Sequence, residues 1–191
     1  VERFIVMIQD NTAKAKAEMA LQEDLFLAKR VQTSLLSKES DIESNLEIAV
    51  HFEPMMEVGG DIYDIHEYSN GKSRFFIADA TGHGVQAALS TMLIKSEYDR
   101  SKLLELSASD TLREYNDVYY DRYINLDCYF TCFILDIDLY KNEIIYSSGG
   151  HPRRILITES GLEFLTTKGS LIGAFPHRSF LENKKSIKKG D

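Results

Sequence analysis

The most informative part of the sequence is residues 58–84, VGGDIYDIHEYSNGKSRFFIADATGHG. Two β-like runs flank Asn70-Gly71, a dipeptide that favours a tight turn between antiparallel strands. Asp61 begins the first run and Asp79 follows the second, so antiparallel pairing brings both carboxylates to the same edge of a sheet. Neighbouring carboxylates repel each other unless a cation compensates their charge, and such oxygen ligands suit Mg²⁺ or Mn²⁺. The pattern therefore predicts a divalent metal site at Asp61 and Asp79.

Two structural roles are the alternative to a metal site. Asp61 would then cap a turn, and Asp79 would cap the helix that begins near Val85. Gly59 and Gly60 favour the metal site, because residues without side chains let the backbone approach an ion or a ligand closely. We therefore interpret the two acids together as metal ligands.

The rest of the chain predicts an α+β fold. The order is strands, then paired helices, then a long β-meander, with little of the βαβ alternation that accompanies parallel sheets. Lys141-Asn142 predicts a second hairpin turn. Helical patterns occur at residues 13–36, 85–98 and 103–120, and strand patterns at 46–52, 61–68, 74–78, 129–137, 143–148, 155–158 and 162–165.

The first predicted helix, residues 13–36, contains neither glycine nor proline. A 4-3-4-3 spacing typical of a heptad seam links five of its positions: Leu21, Leu25, Ala28, Gln32 and Leu35. The seam predicts a parallel coiled-coil dimer, in which the polar Gln32 weakens the pairing and sets its register. The alternative is an amphipathic helix packed on its own domain.

The composition is that of a globular protein with an acidic surface. Its net charge of −8 disfavours binding to nucleic acid. The one basic cluster is interpreted as a solvated edge; it consists of Lys184, Lys185, Lys188 and Lys189. No apolar run approaches the roughly 20 residues that span a bilayer, and Val1-Glu2-Arg3 does not begin a signal peptide. Cys128 and Cys132 are predicted to be reduced, buried thiols, which fits a cytoplasmic location.

Four segments, taken together, resemble the signature of the SpoIIE/RsbU-like branch of the PPM metal-dependent protein serine/threonine phosphatases. The first is AKRVQ (28–32) followed by LL (35–36), and the second is a proline (54) followed by VGGDIYD (58–64). The third is IADATGHG (77–84) followed by AAL (87–89), and the fourth is GHP (150–152). Residues 4–12, FIVMIQDNT, are similar to the end of a PAS sensor domain. The resemblance divides the chain into the end of a PAS-like sensor domain (1–12), a signalling linker helix (13–37) and a phosphatase domain (38–191).

The resemblance implies a PPM-type β-sandwich flanked by helices (αββα) that holds Mn²⁺ or Mg²⁺ in a two-metal site. Asp79 would bridge the ions, Asp61 would complete one side, and the backbone carbonyl of Ala80 would be a further ligand. The ions would activate a water for in-line attack on phosphoserine or phosphothreonine. His83 would either donate to the phosphate or cap the following helix, and the structural role is favoured.

Two further polar residues of these motifs are given no metal role. Asp64 alternates to the face of its strand opposite Asp61, and His151 lies in a strand-ending turn. By the same resemblance, the substrate would be an STAS-type anti-anti-sigma regulator. The protein would be a homodimer through its N-terminal helix, controlled by the upstream sensor.

The family continues past a Lys-x-Gly-Asp sequence such as residues 188–191 into a strand with a Thr-Asp-Gly motif and a later acid. Those carboxylates complete the two-metal site. We therefore expect the domain to be incomplete at its C-terminus, with weak metal binding, feeble catalysis and an uncovered sheet edge.

Two other functions are compatible with part of the pattern. Gly59-Gly60-Asp61 is similar to the GGDEF loop of diguanylate cyclases, but Ile62-Tyr63 replaces the expected acid and aromatic pair. A non-catalytic docking module with a phosphatase-like fold is the other alternative. The presence of both Asp61 and Asp79 argues against loss of the site.

Overall fold

The computed structural model describes residues 10–37, 46–54, 57–82 and 84–191. Residues 1–9 of the predicted PAS-like segment (1–12) and residues 38–45 lie outside the described residues. The described helices are α1 (Thr12–Ser34), α2 (Val85–Lys102) and α3 (Ala108–Tyr123). The described strands are β1 (Asp61–Glu67), β2 (Lys72–Ala80), β3 (Phe130–Asp138), β4 (Glu143–Gly149), β5 (Arg154–Thr158), β6 (Gly161–Leu165) and β7 (Glu182–Ser186). None of these helices combines the length and the apolar character that crossing a membrane requires.

Five of the strands form one antiparallel sheet in the order β1-β2-β3-β4-β7, and β5 pairs with β6 in a separate hairpin. The turns predicted at Asn70-Gly71 and Lys141-Asn142 are present, and Gly71 and Asn142 have positive φ values of 76° and 52°. Helices α2 and α3 cover one face of the sheet, and β5 and β6 pack on the other face. This combination confirms the α+β fold class.

The main core lies on the helix-facing side of the sheet. Phe76 of β2 stacks on Tyr98 of α2 with 3.8 Å between ring centroids, and Ala78 is fully buried on the same side. Burial of a large apolar side chain stabilises a fold by about 1.5–3 kcal/mol. Because side chains alternate along a strand, Ile77 and Asp79 face the opposite side of the sheet.

Residues 46–52, predicted as a strand, are extended chain outside any strand. The predicted alternation of burial is nevertheless present: Leu46, Ile48, Val50 and Phe52 are half-buried, and the residues between them are exposed. Apolar periodicity specifies the direction of side chains, whereas a strand also needs a register with neighbouring backbone, which periodicity does not specify. The strand prediction is therefore wrong, although the burial pattern is right.

Strand β7 lies in the basic cluster that the sequence suggests is a solvated edge. It pairs with β4, and Lys184 and Lys185 form ion pairs with Glu143 and Glu163. Almost all of its side chains are exposed, so no apolar alternation marks it in the sequence. The interpretation as a solvated edge is correct for the side chains and wrong for the backbone, which completes the sheet.

Helix α1 packs on its own domain through its C-terminal half. Leu25, Ala28 and Leu35 are half-buried, and Gln32 is buried, with 1% of its surface exposed. The Gln32 amide donates to the Thr91 hydroxyl of α2 at 2.8 Å, so it binds within its own chain rather than to a partner helix. At these positions the structure agrees with the alternative of an amphipathic helix packed on its domain, and the register-setting interpretation of Gln32 is wrong.

A buried ion pair anchors α3 to the sheet. Arg74 of β2 lies opposite Asp136 of β3, and its Nε and Nη2 donate to the two carboxylate oxygens at 2.6 and 2.7 Å. Arg74 also donates to the Thr111 hydroxyl and to the Leu106 carbonyl, both at 2.8 Å. Because Arg74 is fully buried, these bonds offset the free-energy cost of removing its charge from water.

Replacing Asp136 with alanine is expected to lower the free energy of unfolding by about 3–5 kcal/mol, because the Arg74 charge then stays buried without its carboxylate. Urea-induced unfolding measures the loss. Asp138→Ala is the matched control: Asp138 lies in the same strand and pairs with the exposed Lys141, so its loss should cost less than about 1 kcal/mol. Equal losses in the two variants would contradict the anchoring role.

Candidate metal centre

Asp61 and Asp79, the predicted metal ligands, lie directly opposite each other. The register of β1 and β2 pairs Asp61 with Asp79. Directly opposed residues of an antiparallel pair project to the same face, with Cβ atoms about 4.5–5.5 Å apart. The pairing extends one step further, because the Ala80 N–H donates to the Gly60 carbonyl at 2.8 Å. The structure thus brings the two predicted residues together at the sheet edge, where both are exposed.

Gly60 allows the two strand ends to lie close together. A Cβ atom at this position would be 3.1 Å from the Ala80 carbonyl oxygen and 3.7 Å from Oδ1 of Asp79. A side chain here would therefore crowd the Ala80 carbonyl oxygen and lie in van der Waals contact with the Asp79 carboxylate, the two oxygen groups that the sequence suggests as ligands. The absence of one leaves these oxygens accessible to an ion.

The alternative capping roles are not seen. Helix α2 has Gly84 as its N-cap, and no side chain caps it. Among the described residues, the side-chain carboxylates of Asp61 and Asp79 accept no hydrogen bond. The loop after Asp79 is held instead by Thr81, whose N–H and hydroxyl both donate to a backbone carbonyl just before β3. His83, the candidate phosphate donor, lies outside the described residues.

The electrostatics of the pair favour a bound cation. Partial burial, followed by the negative charge of Asp79, raises the pKa of Asp61, and the positive charge of Arg154 acts in the opposite direction. Two carboxylates and the Ala80 carbonyl are hard oxygen donors, so the residues present fit Mg²⁺ or Mn²⁺. Within the described ranges, no group of three or more His, Cys, Asp and Glu side chains is arranged so that it could hold a metal ion.

Asp64 forms ion pairs within the protein and lies on the face of β1 opposite Asp61, as the alternation along the strand predicts. Its carboxylate is buried on the helix-facing side and lies 2.9 Å from the ammonium groups of both Lys95 and Lys102. Burial alone would raise the pKa of Asp64, but the charges of the two lysines and a hydrogen bond from Ser37 outweigh it and lower this pKa. Asp64 is therefore a fully compensated anion that links β1 to α2.

Three further residues lie beside the acids. Thr131 is paired with Asp79 across β2 and β3, so its side chain is on the same face, and its hydroxyl is 2.7 Å from Nδ1 of His151. Burial, followed by the charge of Arg154, lowers the pKa of His151 to about 4. The sequence did not indicate Thr131 or Arg154, because their positions follow from the register of β3 and from the turn after β4.

Helix α1 reaches the site through one side chain. Gln32 donates to the Gly59 carbonyl at 2.7 Å and accepts from the Gly59 N–H at 3.1 Å. The same amide donates to Thr91 of α2. Gln32 therefore joins α1 and α2 to the residue two positions before Asp61.

Comparison with known proteins agrees with this arrangement. The profile of the family described as Stage II sporulation protein E (SpoIIE) matches residues 69–191. The chain is 26% identical over 147 residues to phosphoserine phosphatase RsbP of Bacillus subtilis (strain 168), covering 75% of this chain and 36% of that protein. It is 24% identical over 186 residues to phosphoserine phosphatase RsbU of the same organism, covering 96% and 55%. The chain thus spans about a third to a half of the length of these relatives.

Solved structures share the fold. The SiaA-PP2C domain of Pseudomonas aeruginosa superposes with a TM-score of 0.75 at 18% identity, covering 94% of this chain and 70% of that one. RsbX in complex with magnesium superposes with a TM-score of 0.55 at 19% identity, covering 70% and 63%. At these identities the similarity establishes a PP2C-type fold.

Replacing Asp61 with asparagine is expected to stabilise the metal-free protein by roughly 0.2–1 kcal/mol, because it removes a like-charge pair across two strands. The same change should abolish the rise in melting temperature caused by Mn²⁺. Thermal unfolding with and without Mn²⁺ measures both effects. Asp64→Asn, in the same strand, is the contrasting control and should destabilise the protein, because it weakens the ion pairs with Lys95 and Lys102. Destabilisation by Asp61→Asn without metal would contradict the repulsion argument.

Proposed function

The chain belongs to the SpoIIE family, and from this premise we propose that it is a metal-dependent protein phosphatase acting on phosphoserine or phosphothreonine. The observation that carries the proposal is the direct opposition of Asp61 and Asp79 across β1 and β2, next to the Ala80 carbonyl. On the side of the sheet away from the helices, these two carboxylates form no ion pair with a described residue and are available to a cation. On the helix-facing side, Asp64 already has its lysines.

We propose Mn²⁺ or Mg²⁺ as the ion, held by Asp79, Asp61 and the carbonyl of Ala80. When bound, such ions acidify a water nucleophile and neutralise charge on a phosphoryl group. The protein's own contribution is to hold these oxygens in place: the hairpin sets the spacing of the carboxylates, Gly60 keeps them accessible, and Thr81 fixes the loop that follows. The magnesium complex of the structurally similar RsbX supports this choice of ion.

The substrate and the regulation are proposed from the relatives. RsbP and RsbU carry the name phosphoserine phosphatase, which supports a phosphorylated protein as substrate, and we propose an STAS-type anti-anti-sigma regulator. We also propose that residues 1–12 end a PAS-like sensor domain, that 13–37 form a signalling helix and that 38–191 form the phosphatase domain. Gln32 offers a physical route for control, because it joins the helix to the backbone beside Asp61.

A homodimer through α1 is part of the proposal. Positions 25–35 of the predicted seam face the domain, so a second copy would contact another side of the helix. Large apolar side chains elsewhere on α1 are exposed, with 44% to 67% of their surface accessible: Met19, Leu21, Phe26, Leu27 and Val31. Pairing of two such helices would bury this apolar surface.

Replacing Asp79 with asparagine is expected to lower turnover of a phosphoserine protein in the presence of Mn²⁺ by about 100-fold or more, because one charge that holds the ions is lost. Phosphate release by the intact protein measures the effect. Asp121→Asn, an exposed change in α3, is the matched control and should leave turnover unchanged. Unchanged activity in the Asp79 variant would sink the phosphatase proposal and favour the non-catalytic docking module.

Changing the length of α1 tests the proposed control by the linker helix. Two residues inserted after Lys29 rotate the upstream part of the helix by roughly 200° relative to Gln32, whereas seven inserted residues restore its orientation to within about 20°. We expect severalfold altered turnover for the first insertion and turnover close to that of the unchanged protein for the second. Circular dichroism should show the same fold in both. Equal turnover in both variants would argue against transmission through the helix.

A further inference from the structure

A cavity of about 1570 Å³ lies between the main sheet and the β5–β6 hairpin, and the metal-ligand candidates Asp61 and Asp79 form part of its wall. Arg154, the first residue of β5, and His151, in the turn after β4, line the same cavity. The wall beside the two acids therefore contains a cation and a hydrogen-bonding imidazole. Neither is among the proposed metal ligands.

The Arg154 guanidinium is half-buried and has no ion pair with any described carboxylate. Its carbon lies 5.8 Å from the centre of the Phe133 ring, and Asp61 is the acid with which its charge interacts. Burial lowers the pKa of Arg154, and the charge of Asp61 compensates this only in part. A partly desolvated guanidinium beside an open cavity suits an oxyanion, since its planar fork donates two parallel hydrogen bonds to carboxylate or phosphate oxygens.

His151 offers a second donor. The hydrogen bond between the Thr131 hydroxyl and Nδ1 of His151 can run in either direction. If the ring donated, the hydroxyl proton would have no acceptor among the described residues. Fewer polar groups remain unsatisfied when Thr131 donates to Nδ1. The ring proton is then on Nε2. This nitrogen is buried and has no hydrogen-bond partner in the described structure. A buried donor without a partner is costly, and a ligand oxygen that reaches it from the cavity that His151 lines would satisfy it.

We propose that Arg154 and Nε2–H of His151 form the phosphate-binding half of the site, where they bind non-bridging oxygens of the substrate's phosphoserine or phosphothreonine group. This inference rests on the proposed phosphatase function and adds the residues that recognise the phosphate. Two acids alone would repel a phosphate dianion, and bound ions would compensate that charge. Arg154 supplies positive charge from the protein itself, next to Asp61.

The first test replaces Arg154 with alanine in the intact protein and measures two equilibria by calorimetry. Affinity of the Mn²⁺-loaded protein for inorganic phosphate should fall about 10- to 100-fold, because hydrogen bonds to a charged group are lost. Affinity for Mn²⁺ alone should stay the same or increase, because a positive charge near Asp61 is gone. Arg154→Lys should retain part of the phosphate affinity. Arg153→Ala is the matched control: its exposed side chain lies over the Phe164 ring, and phosphate affinity should not change.

The second test separates phosphate binding by His151 from a purely structural role. Asparagine places its amide near the position of Nδ1 and keeps the bond to Thr131, whereas glutamine places its amide near Nε2. The proposal expects His151→Gln to retain phosphate affinity and a KM for phosphoserine protein near those of the unchanged protein, and His151→Asn to lose affinity and raise KM. The reverse order would overturn the role of His151.

The outcomes distinguish this inference from the function on which it rests. If the unchanged protein binds Mn²⁺ and hydrolyses a phosphoserine protein, but Arg154→Ala leaves phosphate affinity and KM unchanged, only the phosphate-binding half is wrong. Parallel losses of Mn²⁺ and phosphate affinity in Arg154→Ala would show a general structural role and also overturn it. If the unchanged protein neither binds Mn²⁺ nor turns over the substrate, the proposed function itself fails.

Discussion

The register of the β1–β2 hairpin is the constraint on which the rest of the site depends. Ile62 and Ala78 are paired across the hairpin, and both are completely buried against the helices. A slip of one residue would expose this apolar pair and move the acids toward the core, so hydrophobic burial on one face holds the register. The same register places Asp61 opposite Asp79 on the other face. The stability of the core therefore enforces a repulsive contact that the protein would otherwise avoid.

Charges on the two faces of this sheet have different consequences. On the helix-facing side, Asp64 has two lysines within 2.9 Å, and Arg74 is bound to both oxygens of Asp136. These groups are deeply buried, and their partners offset the desolvation of each charge. On the cavity-facing side, Asp61 and Asp79 have no such partners among the described residues. Charged groups that have ion-pair partners within the protein are structural, whereas charged groups without such partners are available to an ion or a substrate.

Helix α1 is connected to this arrangement by hydrogen bonds rather than by apolar packing alone. The amide of Gln32 forms hydrogen bonds with both backbone groups of Gly59 and with Thr91. The helix can therefore move only if these bonds break or if the strand that begins at Asp61 moves with it. Loss of these bonds would leave buried polar groups unsatisfied, which favours two discrete positions over a continuum. Several large apolar side chains of the helix outside its packed positions stay exposed.

Local sequence was sufficient for the hairpin, the two acids at its open end, the helices and the α+β class, because turn residues, apolar alternation and glycines are all short-range signals. It also indicated the alternating burial of residues 46–52. Tertiary structure alone decided that this segment joins no sheet, that exposed β7 pairs with β4, and that Gln32 binds its own domain. It also placed Thr131 and Arg154 beside the acids. These features depend on which distant segments meet, and a pattern within one segment carries no information about its partner's register.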